Sequence, residues 1–384
     1  MDRDWLTATE AATALGVKPA TLYAYVSRGL VGSERLPGGR TSRYARADVE
    51  RLAARQRRPG AELGGLDIVI ETAITRLDPA GRLAYRGWDV VDAADAGFEV
   101  VAHWLWTGER REIDDLGDLP TPSALPPTPG VSGIDRVRIA LAAVRGRDTL
   151  RDDHRPGAVA ETGRTIVATM IAALPEQQPP LRQDTVAARL WSRLTARSAR
   201  LRDLDLLDTV LVLLADHELA ASTLAARVVA STWADPYLVV LAGLAALGGP
   251  LHGGASEAAR ALLREDDVRA AIGRGLDANE LVPGFGHRVY RLRDPRAELL
   301  LDRIEMTPAL TDALDEMRRR RLPFPNVDIA VAAFAEEHEM VADAGALMFA
   351  VARVGGWLAH AVEEYDHRLR FRPRAAYVGP SPSD

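Results

Sequence analysis

Three of the eight histidines in this chain sit where glycine turns or polar breaks meet helix-like segments. Gly248-Gly249-Pro250-Leu251-His252-Gly253-Gly254-Ala255-Ser256-Glu257 puts a histidine in a tight turn that opens a helix. Glycines permit close approach of a ligand, and a helix N-terminus favours a carboxylate or an oxyanion. Pro283-Gly284-Phe285-Gly286-His287-Arg288 repeats that design, and Asp216-His217-Glu218 begins or interrupts a helix. Any one of them alone reads more simply as a turn histidine. Three of them with arginines nearby point to proton transfer and anion binding in one site.

The arginines in question are Arg291, Arg293, Arg296, Arg353 and the Arg372-Pro373-Arg374 group. Guanidinium forks suit planar carboxylates and phosphates, although each arginine taken singly also reads as a solvated face. The run Arg318-Arg319-Arg320-Arg321 is most simply a solvated helix end, with a polyanionic ligand as the sharper alternative. One carboxylate stands out, in Phe324-Pro325-Asn326-Val327-Asp328 before the apolar run at 329–334. Either Asn326 or Asp328 merely caps that helix, or Asp328 is a general base whose pKa rises by desolvation.

Two absences narrow the chemistry. The chain has no cysteine, which excludes disulfides, thiol nucleophiles, iron–sulfur clusters and thiolate zinc sites. Of 48 basic residues only Lys18 is a lysine, so Schiff-base chemistry has a single candidate, and no Walker-type phosphate loop occurs. Chemistry here must come from His, Asp, Glu, Arg, Ser, Thr or Tyr. The 384 residues, 27% of them charged, and a mean hydropathy of −0.09 suit a folded chain of two or three domains. No stretch approaches the ~20 uninterrupted apolar residues of a membrane span. The opening Met1-Asp2-Arg3-Asp4-Trp5 lacks the build of a signal peptide, and a cytoplasmic location is expected.

The elements that hold these residues fall into two parts. Residues 1–58 carry 11 Lys/Arg against 6 Asp/Glu, a net of +5, and the remainder carries 37 against 48, a net of −11. Arg58-Pro59-Gly60 punctuates the boundary. In the basic head, 7–17 reads as a capped helix ending in a glycine turn, 18–26 as a second helix, 34–44 as a hairpin and 47–56 as a closing helix. These residues resemble the winged helix-turn-helix of excisionase-type and mercury-resistance-type regulators. The resemblance implies that Lys18, Thr21, Tyr23 and Arg28 face DNA, with Arg40 and Arg43 on phosphates. The alternative is a winged helix used for packing or protein contacts.

The acidic body reads as nearly all helical. One β-hairpin is expected, with 68–74 and 82–86 flanking Asp78-Pro79-Ala80-Gly81. Long helix-period segments follow at 100–107, 134–144, 162–173 and 207–229.

Five blocks, in order, then become specific. They are Asp216-His217-Glu218-Leu219 with Ala221-Ser222-Thr223 and Ala226-Arg227-Val228-Val229; Gly249-Pro250-Leu251-His252-Gly253-Gly254-Ala255; Gly284-Phe285-Gly286-His287-Arg288-Val289-Tyr290 with Asp294-Pro295-Arg296; Pro325-Asn326-Val327-Asp328; and Arg372-Pro373-Arg374. Together they resemble citrate synthase, over roughly residues 61–380. The family resemblance implies a mainly α, two-part fold. Its large part would be 59–253 and 339–384 and its small part 254–338, with Gly253 and Gly254 as hinges.

The resemblance also implies a reaction of the tricarboxylic acid cycle, the Claisen-type condensation of acetyl-CoA with oxaloacetate and hydrolysis to citrate and CoA. Asp328 would take the methyl proton, His252 would hold the thioester oxygen, and His287 would polarise and protonate the ketone. His217, Arg296 and Arg353 would bind the oxaloacetate carboxylates, with Arg372 supplied across a homodimer. Val282, Gly284 and Gly286 would meet the CoA adenine, and Arg291 its phosphates, and no metal or redox cofactor would be required. Ala220 and Ser256 stand where many relatives have Asn, Leu214 where a histidine is common, and Ile329 where an aromatic is common. Acetyl-CoA is the expected thioester; propionyl-CoA, giving 2-methylcitrate, is the alternative, because one methylene is worth only ~1–3 kcal/mol of discrimination. A reading from another class is a DNA-binding regulator whose body senses CoA esters or oxaloacetate.

Overall fold

The computed structural model describes residues 5–15, 22, 26, 31–35, 42–49, 69–123, 125, 129–249, 252–367, 369–373 and 379. The chain divides into two compact units, Met1–Glu71 and Thr72–Asp384.

In the first unit, Thr7 and Glu10 form a reciprocal cap. The Thr7 N–H donates to Glu10 Oε2 at 2.8 Å, and the Glu10 N–H to Thr7 Oγ1 at 3.3 Å, which starts the helix Ala8–Leu15. The expected hairpin is present as Ser33–Arg35 paired antiparallel with Ser42–Ala45. Trp5–Thr7, not foreseen as a strand, pairs with the other edge of Ser42–Ala45. Leu6, Ala11, Ala12, Leu15, Leu22, Val31, Tyr44 and Val49 make its core. Lys18, Thr21, Tyr23, Arg28 and Arg40 lie outside the described residues.

The second unit opens with a three-stranded sheet, Thr75–Asp78, Arg82–Tyr85 and Trp88–Asp89. The expected hairpin is therefore displaced. Its first strand begins at Thr75 and not at 68, because Asp78 pairs directly with Arg82 and the Asp78 carboxylate accepts the Ala80 N–H at 2.8 Å. That turn sets the register, and 69–74 precedes the strand.

Helices make up the rest. Several start where a capping side chain precedes proline: Asp235 before Pro236–Leu247, Asp294 before Pro295–Leu301, and Thr307 before Pro308–Arg319. The segment expected at 207–229 is two helices, Leu201–Leu214 and Ala221–Ala230, parted at Asp216-His217-Glu218. Glu218 there takes a left-handed φ of 55°.

At the centre runs the 22-residue helix Ala344–Tyr365. It is apolar and long enough to span a membrane, but 83% of its most apolar window is buried in the core. It packs against the helices Phe98–Thr107, Pro156–Ala172, Leu201–Leu214, Ala221–Ala230 and Pro236–Leu247. Burying Met348, Trp357 and Leu358 contributes on the order of 1.5–3 kcal/mol each. Phe349, Arg353, Gly356, His360 and Glu364 recur every three or four residues and share one face of this helix.

Candidate active site

His217 is presented by a turn fixed from several sides. The Asp216 carboxylate accepts the Glu218 N–H at 3.0 Å and the Thr75 hydroxyl at 2.5 Å. The buried Tyr85 hydroxyl donates to the Asp216 carbonyl at 3.1 Å. Gly356 is required behind it, since a Cβ there would lie 2.0 Å from Asp216 Oδ1. Asp216 titrates below the ordinary carboxylate range: burial opposes its charge, but His360, Arg353 and the Thr75 bond outweigh that. His217 itself is half-buried. Burial, reinforced by Arg296, His287 and Arg353, holds its pKa well below the usual histidine range, so it is neutral.

His287 follows a loop laced to the segment before Asp328. The Gly286 N–H donates to the Phe324 carbonyl at 2.7 Å, the Asn326 N–H to the Gly284 carbonyl at 2.9 Å, and Asn326 Nδ2 to the Gly286 carbonyl at 2.8 Å. Gly284 has φ 83°, and a Cβ on it would meet Ile329 Cβ at 2.6 Å, so no side chain fits. His287 Nδ1 accepts the Val289 and Tyr290 N–H groups at 3.0 and 3.1 Å. Its proton is therefore on Nε2, aimed away from the backbone. Burial and the Arg296 charge bring its pKa down to about 4. The His217 and His287 rings stand 5.0 Å apart, and Tyr290 bridges them with its hydroxyl 3.3 Å from His217 Nε2.

Asp328 lies in the first turn of Val327–Glu337, yet it does not cap that helix. Asn326 does, its Oδ1 accepting the Asp328 N–H at 3.0 Å. The carboxylate is left free. Among the described residues its one side-chain donor is the Ser256 hydroxyl, 3.0 Å from Oδ1. Burial raises its pKa above the ordinary aspartate value, and the Ser256 bond and the Arg296 and Arg353 charges offset only part of that. A desolvated carboxylate of raised pKa suits a general base.

His252 occupies the turn before Ala255–Leu263, its N–H donating to the Gly249 carbonyl at 3.0 Å. Its Nε2 lies 2.8 Å from Ser222 Oγ. Burial, then Arg353, lowers its pKa, so it too is neutral.

The cations differ in how they are held. Arg296 is buried and paired with Asp294 through Nε–Oδ1 at 2.9 Å and Nη2–Oδ2 at 2.8 Å. Its fork is thus half used before any ligand arrives. Arg353 is 1% exposed, stacks 4.2 Å over Phe349 and donates Nε to the Leu214 carbonyl at 2.8 Å, while its Nη1 has no partner. Burial pulls its pKa down to about 10. A buried cation with an idle donor calls for an anion.

Other expected residues fall outside this cluster. Arg372 is exposed, and among the described residues no contact joins it to the cluster. Arg291 is exposed, with its N–H on the Pro79 carbonyl at 2.9 Å. Val282 is half-buried, and Gly286 takes a φ of 76°. Three of the arginine run's four members are paired within their own helix end: Arg318 with Asp315, and Arg319 and Arg320 with Glu316. In the first unit Arg43 pairs with Glu34 at 2.9 Å and stacks 4.6 Å over Trp5. Ser222, Tyr290 and Phe349 were not singled out from sequence, and Ser256 was noted there only as standing where many relatives have Asn. Ser222 and Tyr290 lie inside the motif blocks, but their partners are 30 and 73 residues away.

Residues 65–374 match the family model for the citrate synthase C-terminal domain. The chain belongs to the citrate synthase family. Residues 5–57 match a helix-turn-helix domain. Citrate synthase 2 of Bacillus subtilis is 31% identical over 340 residues, covering 78% of this chain and 90% of that protein. The citrate synthase of Haloferax volcanii is 31% identical, over 81% of this chain and 94% of its own. A citrate/2-methylcitrate synthase of Bacillus subtilis is 29% identical over 82% of this chain and 96% of its own. Among solved structures, the Thermoplasma acidophilum citrate synthase in ternary complex with carboxymethyl coenzyme A and oxaloacetate superposes with a TM-score of 0.69. It is 28% identical, over 83% of this chain and 96% of that one. The mainly helical fold is thus that of citrate synthases, with a helix-turn-helix at the N-terminus.

Proposed function

We propose that this citrate synthase family enzyme condenses acetyl-CoA with oxaloacetate, with Asp328, His252 and His287 as the reacting side chains. The carrying observation is that Asn326 caps the helix and leaves a half-buried Asp328 carboxylate of raised pKa beside neutral histidines and an Arg353 whose Nη1 has no partner. In this reading Asp328 takes a proton from the thioester methyl while His252 donates to the thioester oxygen, giving an enol. The tautomer that this role requires has the His252 proton on Nδ1 and the Ser222 hydroxyl donating to Nε2, which the 2.8 Å contact accommodates. The enol carbon attacks the ketone carbon, and His287 Nε2–H protonates the ketone oxygen. Water then cleaves the citryl thioester, releasing citrate and CoA. The two substrates carry the chemistry, and no resident cofactor is needed.

Arg353 and Arg296, with His217, take the oxaloacetate carboxylates, and Val282, Gly284, Gly286 and Arg291 lie along the CoA. Neutral histidines donate hydrogen bonds to developing oxyanions without adding charge that the dry site would penalise. The lowered pKa values of His217, His252 and His287 support those roles.

Arg372 is assigned to the partner subunit's site in a two-fold dimer. The helix Pro236–Leu247 is apolar throughout, and its outer residues Leu238, Leu241, Ala242 and Ala245 leave an apolar face for a second copy. The helix-turn-helix match supports DNA as a partner of the head.

The test is thiol release measured with oxaloacetate and either acetyl-CoA or propionyl-CoA. Release with acetyl-CoA that requires oxaloacetate is expected. Preferred use of propionyl-CoA selects the 2-methylcitrate reading, which the 2-methylcitrate synthases among the relatives keep in play. Release with neither by folded protein leaves only a sensing body, for which a base such as Asp328 has no use.

A further inference from the structure

Behind the turn that carries His217 lies a file of charged groups that the proposed chemistry does not use. Arg227, His360, Glu364 and Asp216 are each fully enclosed. Such groups are seldom buried unless they are paired in a definite order. Arg227 Nε donates to Glu364 Oε1 at 2.7 Å, and Nη1 to Glu363 Oε2 at 2.7 Å. Glu363 also accepts the Ala73 N–H at 2.7 Å, and Glu364 Oε2 accepts Arg370 Nε at 2.9 Å.

Arg227 Nη1 further lies 2.6 Å from His360 Nδ1. A guanidinium only donates, so Nδ1 accepts and the ring proton is on Nε2. That nitrogen is 3.3 Å from Asp216 Oδ2, the same oxygen that takes the Thr75 hydroxyl and the Glu218 N–H. Asp216 Oδ1, packed on Gly356, has no donor of its own. The aim of the carboxylate is therefore decided at Oδ2. The Glu218 bond closes an Asx-type turn through a residue of left-handed φ, and that turn sets the direction of His217.

We propose that His360 is a positioning residue for oxaloacetate binding: with its tautomer set by Arg227, it aims Asp216, and Asp216 aims His217. The proposal rests on the oxaloacetate site described above. Without Arg227 the ring is free to carry its proton on Nδ1, turning an acceptor towards the Asp216 oxygen. The far end of the file, Arg370, stands two residues before Arg372, so both ends adjoin groups assigned to substrate carboxylates.

The experiment compares His360→Leu, His360→Gln and Thr75→Val in the full chain, reading KM for each substrate and kcat separately. Glutamine keeps an amide N–H near the position of Nε2 and leucine keeps none. His360→Leu is expected to raise the oxaloacetate KM roughly ten- to hundredfold, with the acetyl-CoA KM within about twofold of wild type. His360→Gln should recover most of that loss. Thr75→Val removes one donor to the same oxygen with little change of volume and should raise the oxaloacetate KM several-fold. It also carries the test if the leucine variant does not fold. The inference is overturned if Thr75→Val leaves the oxaloacetate KM unchanged, or if His360→Leu and His360→Gln lower kcat alike with both KM values unmoved. An inactive wild-type chain would overturn the proposed function as well, and that result is distinct from an active wild type with insensitive variants.

Discussion

Asn326 Oδ1 accepts the backbone N–H of Asp328 at 3.0 Å, and this one bond separates two duties that adjacent carboxyl and amide groups could have exchanged. The amide finishes the helix, and the acid is free for proton transfer. Asp328→Asn should therefore lower CoA release by several orders of magnitude while thermal stability holds or rises, because a buried charge is removed and the cap stays. Asn326→Ala should behave oppositely, costing about 1–2 kcal/mol in denaturant unfolding. A loss of stability in Asp328→Asn with activity retained would return Asp328 to a structural role.

The acid limb of activity belongs to Asp328 in this site. Its raised pKa means that the base is lost at a higher pH than an ordinary aspartate would be, and His287, brought down to about 4, is in its neutral, donating form above that pH. The Ser256 hydroxyl lowers the Asp328 value, so Ser256→Ala should move the acid limb of kcat/KM to higher pH. A limb that stays in place would exclude Ser256 as a partner of the working carboxylate.

Stability should follow the histidines. His287 and His217 titrate lower in the folded chain than in the unfolded one, so the unfolded chain takes protons first as pH falls below about 6.5. The midpoint of thermal unfolding is expected to drop steadily from pH 7 towards pH 5. In His287→Gln that slope should be shallower.

Arg353 stores instability that a ligand relieves. Its buried Nη1 has no partner, and burial depresses its pKa to about 10. Oxaloacetate should raise the unfolding temperature of the wild type by mass action. Arg353→Met should unfold at an equal or higher temperature without ligand and show no rise when oxaloacetate is added. An undiminished rise would remove Arg353 from the carboxylate site.

Sharing of sites between subunits is open to complementation. Arg372→Ala and Asp328→Asn chains, each silent at low oxaloacetate, should recover activity after subunit exchange, since one heterodimer site then holds Asp328 and the partner's intact arginine. Failure with exchange verified would mean that each chain builds its own site.

Much of the site was legible because its residues travel in short blocks. The glycine turns before His252 and His287 and the break at Asp216-His217-Glu218 all lie where the sequence placed them. What stayed hidden were partners set by the fold, not by spacing along the chain. Ser256 reaches Asp328 across 72 positions and Arg227 reaches Glu364 across 137, distances over which no period survives. Arg296 looked like a free fork, and its neighbour Asp294 already holds half of it. The hairpin was placed too early because β-branched residues at 68–74 resemble a strand, and the Asp78 turn decides the register instead. The arginine run at 318–321 gave no sign that Asp315 and Glu316 would pair with three of its four members.

The face of the central helix that bears Phe349, Arg353, Gly356, His360 and Glu364 acts as a ruler as well as a support. Each mark is meaningful only in phase with the others. One residue inserted between Arg353 and Gly356 would rotate every later mark by about 100° and shift it by about 1.5 Å. The glycine gap would leave Asp216, and the histidine would turn from its arginine, all in a single event. A substitution on this face can be graded and rescued, but a change of length cannot. Surface loops away from the site can lengthen at a small entropic cost; in these 22 residues the count itself fixes the phase of the groups they carry.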